Sequence, residues 1–232
     1  MSNIDKLNFK FLKDLQTNNN REWFAANKSI YEKHQAKLVL FANGLMDKLN
    51  QHDKIEVRSG KKTVIRVYRD IRFSKDKSPY KIYSGMGFRR LSKLLRGGYY
   101  LHIEPGNNFV GGGFWNPNKE DLLRIRKGIE LDEKEFRSII SSEHFKSVFG
   151  ELKGSKLKTC PKGFNKDSTA IDLLRHKQFV LIKKFSDQEV LSDDFLEQAN
   201  QVYLSMRPFL DFMSYALTTD ENGVPLFSEE IL

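Results

Sequence analysis

The chain predicts an α+β fold: one domain, with an antiparallel β-meander of four to five strands packed with N- and C-terminal helices. Three observations carry this. Apolar residues recur at helical spacing within 1–52 and again within 116–217, while 55–115 holds short β-branched and aromatic runs separated by glycine, proline or charged turns. No repeat, linker or shift of composition interrupts the 232 residues. With 39% hydrophobic and 30% charged residues and only 6 prolines, the composition is that of a globular chain able to bury a core, which excludes fibrous and wholly disordered classes.

The elements follow in order. Leu7, Phe11, Leu12 and Leu15 mark a short amphipathic helix ended by Thr17-Asn18-Asn19-Asn20. Asn20 then caps a long helix with Glu22 in its first turn, and Trp23, Ile30, Leu38, Phe41, Leu45 and Leu49 form its apolar stripe to about Gln51. His34 sits beside that stripe, as a hydrogen-bonded packing histidine would. Strands are expected at 64–70, 80–88, 99–104 and 109–115, the last two joined by a type II turn at Glu104-Pro105-Gly106-Asn107. Asn116-Pro117 reads as a cap and first-position proline for a helix whose buried side is Leu122, Ile125 and Ile129. Two shorter helices carry Phe136, Ile139 and Ile140, then Phe145, Val148 and Phe149. The run 179–182 can add a strand. Ser192 is expected to cap a last helix to about Leu217, with Phe195, Ala199, Val202, Met206, Leu210 and Met213 inward, before an acidic tail over 218–232.

Cys160 is the single cysteine, which excludes an intrachain disulfide and any multi-cysteine metal site and suits a reducing compartment. No apolar run reaches the ~18 residues of a membrane helix, and the first residues lack the apolar core of a signal peptide. A cytoplasmic protein with no membrane partner is expected. The net charge of +9 is unevenly spread: from Arg58 to Arg96 thirteen basic residues face two acidic ones, while from Ser186 onward ten acidic residues face Arg207 alone. The acidic C-terminal helix either neutralises the basic sheet or meets a basic partner, or the basic stretch presents a positive field to an anion.

Two clusters could carry chemistry. In 66–81, strand alternation puts Arg66, Tyr68 and Asp70 on an open face with Ile65, Val67 and Ile71 in the core; Lys75, Lys77 and Lys81 follow beyond a turn. Arg66, Arg69 and Arg72 read planar oxyanions better than lysines do, and Asp70 and Asp76 orient them through internal ion pairs. The same segment also suits a solvated edge strand. In 97–104, Leu101 and Ile103 point inward and leave Tyr100, His102 and Glu104 on the opposite face, where a histidine and a carboxylate can exchange a proton, serve as acid and base, or form a hydrogen-bonded polar layer. Two metal ligands, with Asp70 as a third, would need support that no His-x-His spacing gives. The glycines of Phe109-Val110-Gly111-Gly112-Gly113-Phe114-Trp115 imply close approach to the backbone by a helix or ligand, and no strand–loop–helix phosphate loop is present.

The segments Asn19-Asn20-Arg21-Glu22-Trp23-Phe24, RVYRDIRFSKDKSPYK, GGYYLHIEPG with GGGFWNP, LKTCPKGF and LLRHKQF resemble the bacterial and fungal proteins grouped as the domain of unknown function 2461 family, over about residues 4 to 215. Where that family's pattern has Asp-His-Pro, this chain has Asp167-Ser168-Thr169. The resemblance implies one cytoplasmic domain and no particular reaction. The residues themselves lead to a basic, aromatic cleft for a small phosphorylated or carboxylated ligand, with Arg66, Tyr68, Arg69, Asp70, Arg72, Lys75, Lys77, Lys81 and Trp115 binding and His102, Glu104 and Tyr100 in acid/base roles. No cofactor and no metal are expected. The alternative is nucleic-acid binding by the same cations, with Phe73, Tyr80, Tyr83 or Phe88 as stacking platforms.

Overall fold

A computed structural model describes residues 3–56 and 59–227, so Arg58, at the head of the basic stretch, and the end of the acidic tail lie outside the described residues. In chain order the helices are α1 (Lys6–Thr17), α2 (Arg21–Ala26), α3 (Lys28–Leu49) and α4 (Gly60–Thr63), followed by strands β1 (Ser84–Arg89), β2 (Gly98–Ile103) and β3 (Asn108–Phe114). Next come α5 (Lys119–Leu131), α6 (Glu133–Ser141), α7 (Glu143–Phe149), α8 (Ile171–Leu174), β4 (Phe179–Phe185), α9 (Asp187–Val190), α10 (Phe195–Ser205) and α11 (Arg207–Thr218). The strands make one antiparallel sheet in the order β1-β2-β3-β4, and the α+β class holds. Asn107 N–H donates to Glu104 O at 2.8 Å and Gly106 adopts φ 81°, closing the expected turn between β2 and β3.

The chain divides into two compact units, and every strand passes from one to the other. The first comprises Met1–Phe88, Tyr100–Val110 and Lys184–Gln201. Its core holds Leu38, Phe41, Leu45 and Leu49 of α3, and Phe195 lies 5.8 Å from the Phe41 ring. The second comprises Arg89–Tyr99, Gly111–Lys183 and Val202–Leu232. There Phe136 packs 5.0 Å from Phe212, and the fully buried Arg90 side chain donates to Ser214 Oγ and Leu210 O and pairs with Asp211. Gly112 and Gly113 explain the glycine run: a Cβ would stand 2.5 Å from Met206 Sδ at the first and 2.3 Å from Phe179 O at the second.

Several expected elements are corrected. The helix predicted from 20 to 51 breaks at Asn27, whose side chain takes the Trp23 carbonyl at 2.9 Å and ends α2. Leu7 and Ile30, expected inward, are 65% and 49% exposed. Residues 64–70 form no strand; they are tied by isolated bridges, Val64 to Met86 and Tyr68 to Tyr80. Pro79 accepts from Arg69 N–H but has no N–H to return, so the ladder cannot propagate there. Ile65 is accordingly 37% exposed rather than core. The cap of α5 is Asn118, not Asn116, and Pro117 precedes it. Ser192 caps no long helix; its hydroxyl donates to Glu189 O. The last helix is two, α10 and α11, parted at Met206, because Pro208 at the second position of α11 cannot donate to a preceding turn. All six residues predicted inward along them are buried nonetheless.

Candidate functional site

The β2–β3 hairpin sorts its side chains by pleat. Tyr99, Leu101 and Ile103 are buried on one face, and Tyr100, His102 and Glu104 share the other. On that face His102 Nε2 lies 2.9 Å from Glu104 Oε2 and His102 Nδ1 lies 3.2 Å from the Tyr100 hydroxyl. An ionised carboxylate only accepts, so Nε2 carries the proton and Nδ1 accepts from Tyr100. The imidazole stacks on Phe109, centroids 4.7 Å apart at 11°, with Tyr83 4.4 Å away. Asn107 Nδ2 donates to the same Glu104 Oε2 at 2.7 Å, which leaves Oε1 without a hydrogen bond among the described residues. Burial, with Tyr83 and Glu104 nearby, pushes the Tyr100 phenol up to about 12. Gly85 is small because a Cβ there would meet the Tyr100 hydroxyl at 2.6 Å.

Glu104 and His102 line a cavity of about 630 Å³ together with Arg69, Asp70, Asp76, Lys81 and Tyr83. One wall is built by Asn19, which accepts from Tyr80 N–H at 3.1 Å and donates to Tyr80 O at 2.9 Å, as a neighbouring strand would. Tyr80 is held further by Phe24, its ring stacked at 4.1 Å. Arg69 pairs with Asp76 and donates to Ser78 O at 3.1 Å. The Ser78 hydroxyl and N–H, with Arg69, bring the Asp76 carboxyl down to about 2. Arg72 grips Asp70 with two hydrogen bonds of 3.0 and 2.7 Å, which also lowers the Asp70 carboxyl. Lys81 Nζ donates to Arg66 O at 2.6 Å and Tyr68 O at 2.7 Å. Partial burial, then the positive charges of Arg66 and Arg69, lower its pKa.

Of the residues expected in the site, His102, Glu104, Arg69, Asp70 and Lys81 line one cavity, and Tyr100 supports His102 from behind. The others stand apart from it. Arg66 borders a separate hollow of about 760 Å³ beside α3, with Tyr31, Val39 and Leu40. Tyr68 is 55% exposed, Arg72, Lys75 and Lys77 face solvent, and Trp115 is an exposed residue of the second unit. Asn19, Ser78 and Tyr83 complete the site without having been expected there; the signals at Asn19 were its place beside the Asn20 cap and at the head of the Asn19–Phe24 segment. Among the four aromatics of the nucleic-acid alternative, Tyr80 and Phe88 are buried and Tyr83 packs on His102, leaving Phe73 as the open ring. Among the described residues no group of three or more His, Cys, Asp or Glu side chains could hold a metal ion. None of their helices is long and apolar enough to cross a membrane.

A Ser–His–Asn arrangement elsewhere in the first unit resembles a nucleophilic site and is not one. His34 lies 3.1 Å from Ser84 Oγ through Nε2 and 2.7 Å from Asn8 Nδ2 through Nδ1. Asn8 Oδ1 already accepts from Asp5 N–H, so its amide nitrogen faces the imidazole and donates to Nδ1. Nε2 then carries the proton and donates to Ser84, the reverse of what a base needs. All three residues are buried.

The family model described as "Conserved hypothetical protein (DUF2461)" matches residues 8–212. No curated protein and no solved structure matches the chain. With the match spanning the helices of the N-terminal part, the whole sheet and all but the last turns of α11, the chain belongs to the DUF2461 family.

Proposed function

We propose that the cavity beside Glu104 binds a small molecule carrying a phosphate or carboxylate and moves a proton to or from it. The observation that carries this reading is the position of Lys81. Two of its three ammonium hydrogens are spent on Arg66 O and Tyr68 O, one remains, and Arg66 and Arg69 add positive potential around it. An anion beside Lys81 relieves that repulsion. Arg69 is already paired with Asp76, so it shapes the wall and Lys81 supplies the unspent hydrogen.

The proton-transfer atom is Glu104 Oε1. Both nitrogens of His102 are engaged, so His102 orients the carboxylate and stabilises its charge while Tyr100 fixes the tautomer. A cytoplasmic setting suits such a metabolite-binding role. Nucleic-acid binding by the basic stretch is the second reading, and Phe73 is the observation that favours it.

Thermal melts and calorimetry against inorganic phosphate and a panel of phosphorylated and carboxylated metabolites test the first reading. A compound present at about 100 times its Kd stabilises the native chain by about 2.7 kcal/mol, and its removal in Lys81→Met is the expected result. Glu104→Gln keeps the binding and loses any turnover of the bound compound. A Lys81→Met variant that responds to the compound as the parent does overturns the reading.

A further inference from the structure

Beyond the cavity, the loop between Asp70 and Ser78 presents a surface of a different kind. Ser74 N–H donates to Ile71 O at 3.3 Å, so Arg72 and Phe73 occupy the two central positions of a turn. Phe73 is 95% exposed, and the Arg72 guanidinium lies 5.9 Å from its ring centre. The loop is stapled from within: Arg69 reaches Asp76, Ser78 O and Ser74 Oγ, Ser78 caps Asp76, and Lys77 Nζ donates to Ile71 O at 3.0 Å. The ring therefore projects from a pre-ordered turn. Between residues 66 and 77 five cations face two aspartates, and both aspartates are already paired.

We propose that this loop is a contact site for single-stranded nucleic acid, with Phe73 stacking on one base and Arg66, Lys75 and Lys77 meeting the adjoining phosphates. The occupant is chosen by composition. The turn offers one flat ring among several cations, which matches a polyanion whose unstacked bases expose their faces. A bilayer anchor would need a larger apolar surface than one phenyl ring. A duplex keeps its bases stacked inside, and the turn offers no helix or ribbon to enter a groove.

The test is fluorescence anisotropy of a labelled oligothymidylate and an oligouridylate of about 15 nucleotides with the full chain, over about 20 to 200 mM salt. Three phosphate contacts predict a slope of about −2 for log affinity against log salt, because each neutralised phosphate of a single strand releases about 0.7 counterion. Phe73→Ala is expected to weaken binding about tenfold at unchanged slope. Phe73→Trp restores it and shows indole quenching on binding. Lys75→Ala with Lys77→Ala reduces the slope by about 1.4. Equal affinity of Phe73→Ala and parent, preference for duplex, or binding of vesicles of phosphatidylcholine with phosphatidylserine in place of either oligonucleotide overturns the proposal. Phe73→Ala keeps any metabolite-induced thermal shift, so this surface and the Lys81 cavity fail or stand separately.

Discussion

Arg69 and Arg72 are three residues apart and do different work. Arg72 grips Asp70 in the open, with 77% and 48% of the two side chains exposed, where solvent screens the pair and side-chain entropy opposes it. Arg69 is 27% exposed and holds Asp76, Ser78 O and Ser74 Oγ at once, so it fixes the shape of the loop that walls the cavity. Removing it strands those acceptors. Arg72→Ala is expected to leave the thermal midpoint unchanged, and Arg69→Ala to lower it by about 2–4 °C. Melts of both variants at neutral pH check this; equal midpoints would show that the loop does not depend on Arg69. The pH dependence carries the same signature. Asp76 titrates at about 2 in the folded chain, below its ordinary 3.8, so its contribution is present above about pH 4 and is lost as pH falls toward 2.

Helix α5 and helix α11 meet where Gly128 faces Ala216, and a Cβ at 128 would stand 2.4 Å from the Ala216 Cβ. Glycine inside a helix costs about 1 kcal/mol relative to alanine, so local propensity alone predicts that Gly128→Ala stabilises. The close approach reverses the sign. Overpacking of about 1–3 kcal/mol is expected, with partial rescue by Ala216→Gly in the double variant; urea midpoints of the four chains measure the coupling. A stabilised Gly128→Ala would refute the close packing. Such a pair is invisible in one sequence, since nothing in Gly128 names its partner. What was legible is local: the Pro105-Gly106 turn, the Asn20 cap, the alternation of β2 and the inward stripe of α10 and α11 each follow from neighbours in the chain. The 64–70 strand failed because its fate depends on Pro79, fifteen residues after Val64, which denies the return hydrogen bond. For the same reason Tyr100, His102 and Glu104 were readable as one face, whereas Asn19 and Tyr83 were not, being brought there by the path of the chain.

Each compact unit buries one histidine against its charged form. His34, in the first unit, is lowered to about 4, chiefly by burial, and its Nδ1 faces the donating amide of Asn8, which an imidazolium could not accept. His176, in the second, is also lowered to about 4, by burial and then by the positive charge of Lys156, and its Nδ1 donates to Gln178 O. The unfolded chain takes up these protons near the ordinary value of 6.5 and the folded chain only near 4. Between those limits the unfolded state binds more protons, so stability falls as pH drops, by about 1.4 kcal/mol per pH unit for each histidine. Carboxylates with lowered pKa, such as Asp76 and Glu133, lose their contribution mainly below their ordinary values of 3.8 and 4.5, so the histidines dominate the upper part of that window. Urea unfolding followed by circular dichroism at each pH from about 7 to 4 measures this acid loss. His34→Gln should flatten the dependence by one proton, and His34→Gln with His176→Gln by two. A pH-independent parent across that range would contradict the burial of both histidines in their neutral form.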